Sequence, residues 1–405
     1  MNTELAHLLA CRPFTRFLAA RLLGLTANQM LMVALAWHMY DLTRSAWDLG
    51  LVGLFQFVPA LLVTLPAGQL VDRWHRARIY AASVLAQAVV ALLMALAMAM
   101  ALDSPPLILA LSMVLGVARA FQMPAQQALT PLLVPQQLLA RAVALSSSTV
   151  QIGVIGGPAL GGVLYALGAD KVYGTCTALL LLASAFTAGV HYAHRPAPPA
   201  AGGSWRQLLA GLSFVWQRKV LLGAVSLDMF AVLLGGATAL LPIYARDILH
   251  AGPEGLGLLR AAPAVGALAM SLVLTHWPLK RRVGPVLLGA VAVFGLATVV
   301  FGLSQSFWLS ALALMVTGAA DNISVVVRLT IMQMETPDEM RGRVAAVNSI
   351  FIGASNQLGE FESGSVAALW GPEFSVVSGG LGTVLVAALW WQLFPALARR
   401  DRLKA

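Results

Sequence analysis

Charge is what this chain has least of. Only 11% of its 405 residues are Asp, Glu, Lys or Arg, against 59% hydrophobic, and the mean hydropathy is +0.80. A water-soluble fold of this length has no use for so much apolar surface, so the composition excludes one and makes lipid the solvent. Cysteine is scarcer still. Cys11 and Cys176 are too few and too scattered for a disulfide framework or a zinc site. No GxxxxGK[ST] string occurs, and the Gly-rich GPEGLGLLR at 252–260 lies at a helix start inside an apolar run. ATP hydrolysis is therefore not expected. No Ser-His-Asp or Cys-His set is discernible, and no further metal-ligand residues are found to converge on His38 or His75 in the sequence. The expectation is a protein that is not an enzyme, with no metal and no cofactor.

Long apolar runs are what the chain has instead. A membrane-crossing helix takes about 20 mostly apolar residues. Such runs fall at 14–38, 48–71, 79–102, 105–123, 140–166, 172–192, 220–244, 255–278, 284–304, 307–328, 343–369 and 373–394. They predict an all-α membrane protein with twelve transmembrane helices. The first run is too long for a signal-peptide core and lacks a small-residue cleavage site, so it reads as a retained helix. The net charge of +9 does not point to nucleic acid, because the cations cluster between the apolar runs. With both termini cytoplasmic, 21 of the 26 Lys and Arg, Arg119 and Arg328 among them, fall on inside-facing segments. That asymmetry is the positive-inside rule, and it predicts a multi-pass protein of the cell inner (cytoplasmic) membrane.

The composition breaks at HRPAPPAAGGSW, 194–205, a Pro-, Ala- and Gly-rich linker. Ser204 and Gln207 have capping-box spacing, and Trp205, Leu208, Leu209, Leu212 and Trp216 recur at helical intervals. This segment predicts an amphipathic helix along the cytoplasmic interface. The expected organisation is a six-helix bundle at 1–192, the linker at 193–219 and a second bundle at 220–405. A shift of 202 residues aligns the two: MVLGVAR (113–119) falls on MVTGAAD (315–321), Arg141 on Arg343, Gly157 on Gly359 and Gly162 on Gly364. Two pseudo-symmetric halves in the same orientation form a parallel repeat, an architecture that places a substrate site near the bilayer midplane.

Between the second and third runs, GQLVDRWHRAR (68–78) carries Gly68, where helices could approach closely. It also carries Asp72, able to cap the third helix, and Arg73, Arg76 and Arg78. The string resembles the G-x-x-x-D-R-x-G-R-R signature of the major facilitator superfamily, with His75 and Ala77 as departures. GVIGGPALGG (153–162) sets Gly153, Gly157 and Gly161 on one helix face at four-residue spacing, with Pro158 permitting a bend and Gly162 following. In that superfamily the string resembles the signature associated with exporters, although ordinary small-residue packing explains it nearly as well. LDMFAVLLGGATALLPIYARDIL (227–249), GLGLLRAAPAVGA (255–267), TPDEMRGRV (336–344) and LGEFESG (358–364) are similar to the enterobactin-exporter-like and macrolide-efflux-like branch. The resemblance implies the major facilitator fold and proton-driven export of a siderophore, drug or other amphipathic compound. Import, lipid movement on the same scaffold, or a non-transporting receptor remain open. The partners so implied are a small-molecule substrate and the bilayer, with a monomer as the working unit.

The residues able to carry transport are polar groups inside the apolar runs, where ionisable side chains are rare and usually functional. Arg21 and Asn28 are seven apart and share a face of the first run. Asp228 lies a third of the way into the seventh, and Asp321 in the tenth at the repeat position of Arg119. A carboxylate alternately exposed to the two sides could exchange protons as substrate binds, and a structural ion pair with an Arg is the other reading of each. Glu360 and Glu362 are about 200° apart on the eleventh helix and cannot face one cavity together. One is expected to line a cavity, the other to pair with an Arg on an adjoining helix or to reach the outer headgroups, with Arg21 and Arg260 the conceivable partners.

Overall fold

The structure is a computed structural model that describes residues 8, 10–192, 204–277, 279 and 281–401; the side chains at 65, 72, 204–207 and 338 lie outside that description. Most of the 194–205 linker therefore falls outside the described residues. The long helices are α1 (Arg12–Thr43), α2 (Ala46–Arg73), α3 (Arg76–Ala99), α4 (Pro105–Leu133), α5 (Leu139–Leu167) and α6 (Ala169–Ala188). After a linker helix at Ser204–Gln217 come α7 (Lys219–Leu234), α8 (Gly252–His276), α9 (Val283–Leu303), α10 (Phe307–Glu335), α11 (Asp338–Trp370) and α12 (Pro372–Leu393). Among the described residues eleven helices are long and apolar enough to cross a membrane. α11 is not one of them: it has ample length, but Asn348, Asn356, Glu360 and Glu362 interrupt its apolar runs.

The helices end where backbone chemistry requires it. Proline opens α4, α8 and α12, where its missing N–H removes no bond. α5 turns into α6 through Gly168 (φ +142°), and α11 into α12 through Gly371 (φ +90°). Only glycine adopts such angles without strain, and the two corners are counterparts in the repeat. The predicted seventh span, 220–244, is not one continuous helix. α7 stops at Gly235, the chain passes through a 3-10 turn at Ala237–Leu240, and a π turn at Tyr244–Ile248 follows. Two consecutive glycines weaken the ladder there, and Pro242 cannot donate to it.

The chain forms two compact units. One comprises Met1–Thr43, Phe55–Ala200 and Gly252–Ala261; the other comprises Arg44–Leu54, Ala201–Ala251 and Ala262–Ala405. In the first, α1 packs on α5 and α6, and α3 on α4 and α6. In the second, α7 packs on α11 and α12, and α9 on α10 and α12, the same pairings six helices later. Phe14, Phe17, Met30, Tyr80 and Tyr173 are fully buried in the first core, and Leu221, Leu287, Ile331 and Leu397 in the second. Outward faces carry Leu62, Ile152, Leu272, Leu303 and Leu381, each more than half exposed. In water each such side chain would forgo roughly 1.5–3 kcal/mol of transfer energy; in lipid it does not.

Glycines set the closest approaches. A Cβ on Gly157 would lie 2.6 Å from Gln29 Cβ, and one on Gly161 would lie 2.8 Å from Met30 Cα, so the face predicted to admit a neighbouring backbone admits α1. Gly153 meets Leu25 on the same face. Gly162 points elsewhere, onto Pro253, Glu254 and Gly257 at the start of α8. Gly68 differs from expectation: a Cβ there meets nothing within 4 Å, so no helix closes on it.

Candidate functional site

In the first unit, the polar side chains of four helices converge on one guanidinium. Arg119 (α4) donates from Nη1 to Gln56 Oε1 of α2 (3.1 Å) and from Nη2 to Asn28 Oδ1 of α1 (2.5 Å). Asn28 Nδ2 donates to Gln87 Oε1 of α3 (2.5 Å), and Gln87 Nε2 to Gln122 Oε1 (2.8 Å). Asn28 and Gln87 each accept at one end and donate at the other, a chain in which each bond polarises the next, whereas Gln56 Nε2 is buried with no partner among the described residues. Asn28, Gln56 and Gln87 are buried, and Arg119 is half-buried. Arg21, one face of α1 below Asn28, reaches Gln126 with Nε and Nη2, both at 2.9 Å, once that amide is turned to present its oxygen. Arg119, Gln122 and Gln126 follow one another on a single face of α4.

The second unit answers with acids. Asp228 (α7) is ion-paired with Arg328 (α10), and both side chains are buried. Asp228 therefore takes the structural reading given above, a carboxylate held by an Arg. Asp321, seven residues before Arg328 on α10, lines a cavity of about 190 Å³ together with Val232, Phe294, Phe301, Thr317 and Asn356. A smaller pocket alongside is lined by both Asp228 and Asp321. Among the described residues Asp321 has no hydrogen-bond or ion-pair partner.

Neither glutamate of α11 is among the residues that line that cavity. Glu360 lies flat against α2, where a Cβ on Gly53 would come 2.8 Å from its Oε2. Glu362 accepts from Ser363 Oγ at 3.3 Å. The residue of α11 that does reach the cavity is Asn356, one turn earlier. Of their conceivable partners, Arg21 and Arg260 belong to the first unit, and the glutamates to the second.

The loop at 68–78 is shorter than the motif suggested. α2 runs through Asp72 to Arg73, and α3 begins at Arg76, so only Trp74 and His75 lie between. The N-cap of α3 is His75, not Asp72, and it makes no side-chain cap; the side chain of Asp72 lies outside the described residues. The turn is held instead by Tyr192, whose hydroxyl accepts from the Arg76 N–H (2.9 Å) and whose ring packs on His75. His38 is tied to Tyr173 and to Asp103, both at 3.1 Å.

Arg119 and Arg328 are the functional candidates that sequence reasoning misplaced, both counted there among inside-facing cations. The apolar run at 105–123 ends near Arg119, but α4 continues to Leu133; α10 likewise continues past Arg328 to Glu335. Both arginines are interior to long helices. The signal that could have found them is the polar face of α4 at 119, 122 and 126, and the match of Arg328 to the acid Asp228.

A polytopic helical bundle built twice over, with a buried cationic network in one unit and a carboxylate-lined cavity in the other, defines a membrane transporter of the repeat-built class. The profile of the Major Facilitator Superfamily matches residues 17–359. The chain belongs to that superfamily. It is similar to the enterobactin exporter of Citrobacter koseri, 28% identical over 397 residues covering 95% of this chain and 92% of the relative. It is also similar to the enterobactin exporter of Escherichia coli O1:K1 / APEC, 26% identical over 387 residues, covering 93% and 90%. Among solved structures, the fold is similar to a bacterial homologue of the human lysosomal transporter Spinster, with a TM-score of 0.76 and 13% identity across 98% of this chain and 99% of that one. A D-xylose–proton symporter gives a TM-score of 0.70 with 14% identity across 97% and 99%.

Proposed function

We propose that this protein is a secondary exporter that moves an amphipathic organic compound, of the siderophore type or a drug, out of the cell in exchange for protons. The reading is carried by one observation: repeat-equivalent positions on α4 and α10 bear opposite charges, Arg119 in an amide network and Asp321 on a cavity. A fixed cation can orient a polar or anionic substrate group. A carboxylate at the matching depth can exchange a proton with either side. Glu360 and Glu362 are the remaining acids able to join that exchange, Asp228 being held by Arg328. The exporter names of the similar proteins from Citrobacter koseri and Escherichia coli support the direction. The distribution of Lys and Arg supports both termini facing the cytoplasm and residence in the inner membrane. The protein works as a monomer, needs no cofactor beyond the proton gradient and binds no nucleic acid.

The test is flux in proteoliposomes with an imposed pH gradient, using a catecholate siderophore and a cationic dye as separate substrates. Export should rise with the gradient and collapse when a protonophore is added. Flux of every substrate that ignores the gradient, or that runs only inward, overturns the proposal.

A further inference from the structure

The break in α7 exposes a helix end where an unbroken span would have none. The Ala237 N–H turns back to Gly235 O (2.7 Å) instead of continuing the ladder to Leu233. α7 thus ends beside the 190 Å³ cavity, which Val232 and Gly235–Thr238 line, with its Val232 and Leu233 carbonyls set against Gly359 of α11. A helix C-terminus carries partial negative charge, and unwound helix ends of this kind coordinate cations in membrane transporters.

The charged group among the lining residues has the same sign, and Asn356 and Thr238 add neutral polar groups. Asp321 is a carboxylate with no partner among the described residues. Thr298 and Thr317 donate their hydroxyl protons to Phe294 O (2.9 Å) and Leu314 O (2.7 Å), which leaves oxygen lone pairs for the cavity. Among the described residues no Lys, Arg or His lines it, and Arg328 on α10 is held by Asp228. The remaining wall is apolar, with Phe294 and Phe301 supplying aromatic surface. With a carboxylate as the charged group of its lining and aromatic walls, the site selects a cation that brings its own hydrogen-bond donors.

We propose that this cavity is a subsite for a protonated amine borne on a ring-sized apolar body. Its volume suits that body, since a cavity of about 150 Å³ is enough to hold benzene. A bare alkali ion fits worse, because it needs a shell of oxygens and most of this wall is apolar. The inference narrows the substrate class of the proposed exporter to compounds with a basic nitrogen, and rests on that reading only in calling the bound amine a substrate.

Equilibrium binding to the full-length protein in detergent tests it, read as the shift in thermal unfolding followed by tryptophan fluorescence. The probes are 2-phenylethylammonium, the neutral 2-phenylethanol, the anionic 3-phenylpropionate, and sodium chloride alone. The ammonium compound should raise the unfolding temperature saturably, with an apparent affinity at least about tenfold above that of the alcohol. Asp321→Asn should erase the difference between the two, and Thr317→Val should shrink it several-fold. Equal affinity for amine and alcohol, a preference for the anion, or the same shift from sodium alone overturns the proposal. If Asp321→Asn does not fold, the comparison of probes on the unsubstituted protein decides. No gradient or flux enters the measurement, so binding without transport would overturn only the exporter reading, and gradient-driven export without amine binding only this subsite.

Discussion

Asp228 and Asp321 are both acids inside apolar helices, and nothing in their sequence neighbourhoods ranks one above the other. Their partners do. Asp228 is fixed by Arg328 with both side chains buried, so neither charge is free to change without stranding the other. Removing one member of such a pair leaves an uncompensated charge in the interior, whereas replacing both with apolar groups of similar size is close to neutral. Asp228→Asn is therefore expected to destabilise the protein by about 3–5 kcal/mol. Asp228→Leu combined with Arg328→Met should recover most of that loss. Unfolding midpoints in detergent report both, and an unchanged midpoint for the single substitution would show that the pair does not hold α7 to α10. Arg119 poses the complementary question. Its two donors reach acceptors on different helices, a fork that the single ammonium of lysine cannot reproduce. Arg119→Lys should lose one charge-assisted bond, about 1.5–3 kcal/mol of stability by the same measurement, despite keeping the charge.

At the scale of helices, the repeat is written in backbone contacts. A Cβ on Gly116 would run into the carbonyl of Gln56, and one on Gly318, 202 residues later, into the carbonyl of Pro263. In both units α4-type and α2-type helices touch main chain to main chain, so Gly116→Ala and Gly318→Ala should each cost about 1–3 kcal/mol through forced separation. Gly174 and Gly289 are the controls. A Cβ at either meets nothing within 4 Å, and alanine there should stabilise by about 0.5–1 kcal/mol by relieving helix-interior glycine. A thermal-shift series over the four variants separates the pairs; a uniform response would mean the close approaches are not maintained in the folded protein. Much of this was legible in the sequence, because apolar runs and four-residue glycine spacing are direct consequences of a helix in lipid. The break in α7 was not. Gly235 and Gly236 look like the packing glycines found throughout the chain, and hydropathy carries no information on φ and ψ. The true lengths of α4 and α10 were hidden for a related reason: both helices continue beyond their apolar runs, which carried Arg119 and Arg328 into the interior instead of leaving them at the surface.

For the whole molecule, the repeat supplies two copies of one scaffold, and the charges decide how the copies differ. Equivalent pairings of helices hold both units, yet position 119 bears a guanidinium and position 321 a carboxylate. Had the halves kept the same charge, a gradient-driven cycle would need its coupling group elsewhere; with opposite charges, orientation of substrate and exchange of protons can be divided between them. The division has kinetic consequences that distinguish it from a merely structural use of either residue. Arg119→Gln keeps a hydrogen-bonding side chain but removes the charge, so export should retain its dependence on the pH gradient while the apparent KM rises about tenfold, the loss of one charged contact. Asp321→Asn removes the titratable group from the lining of that cavity, so flux should continue down a substrate gradient and stop responding to the pH gradient. Measured side by side in the same proteoliposomes, the two variants must fail differently. A gradient response lost in Arg119→Gln and kept in Asp321→Asn would assign coupling to the first unit. Loss in both, with normal unfolding midpoints, would place both residues on one proton path and end the division of labour between the repeats.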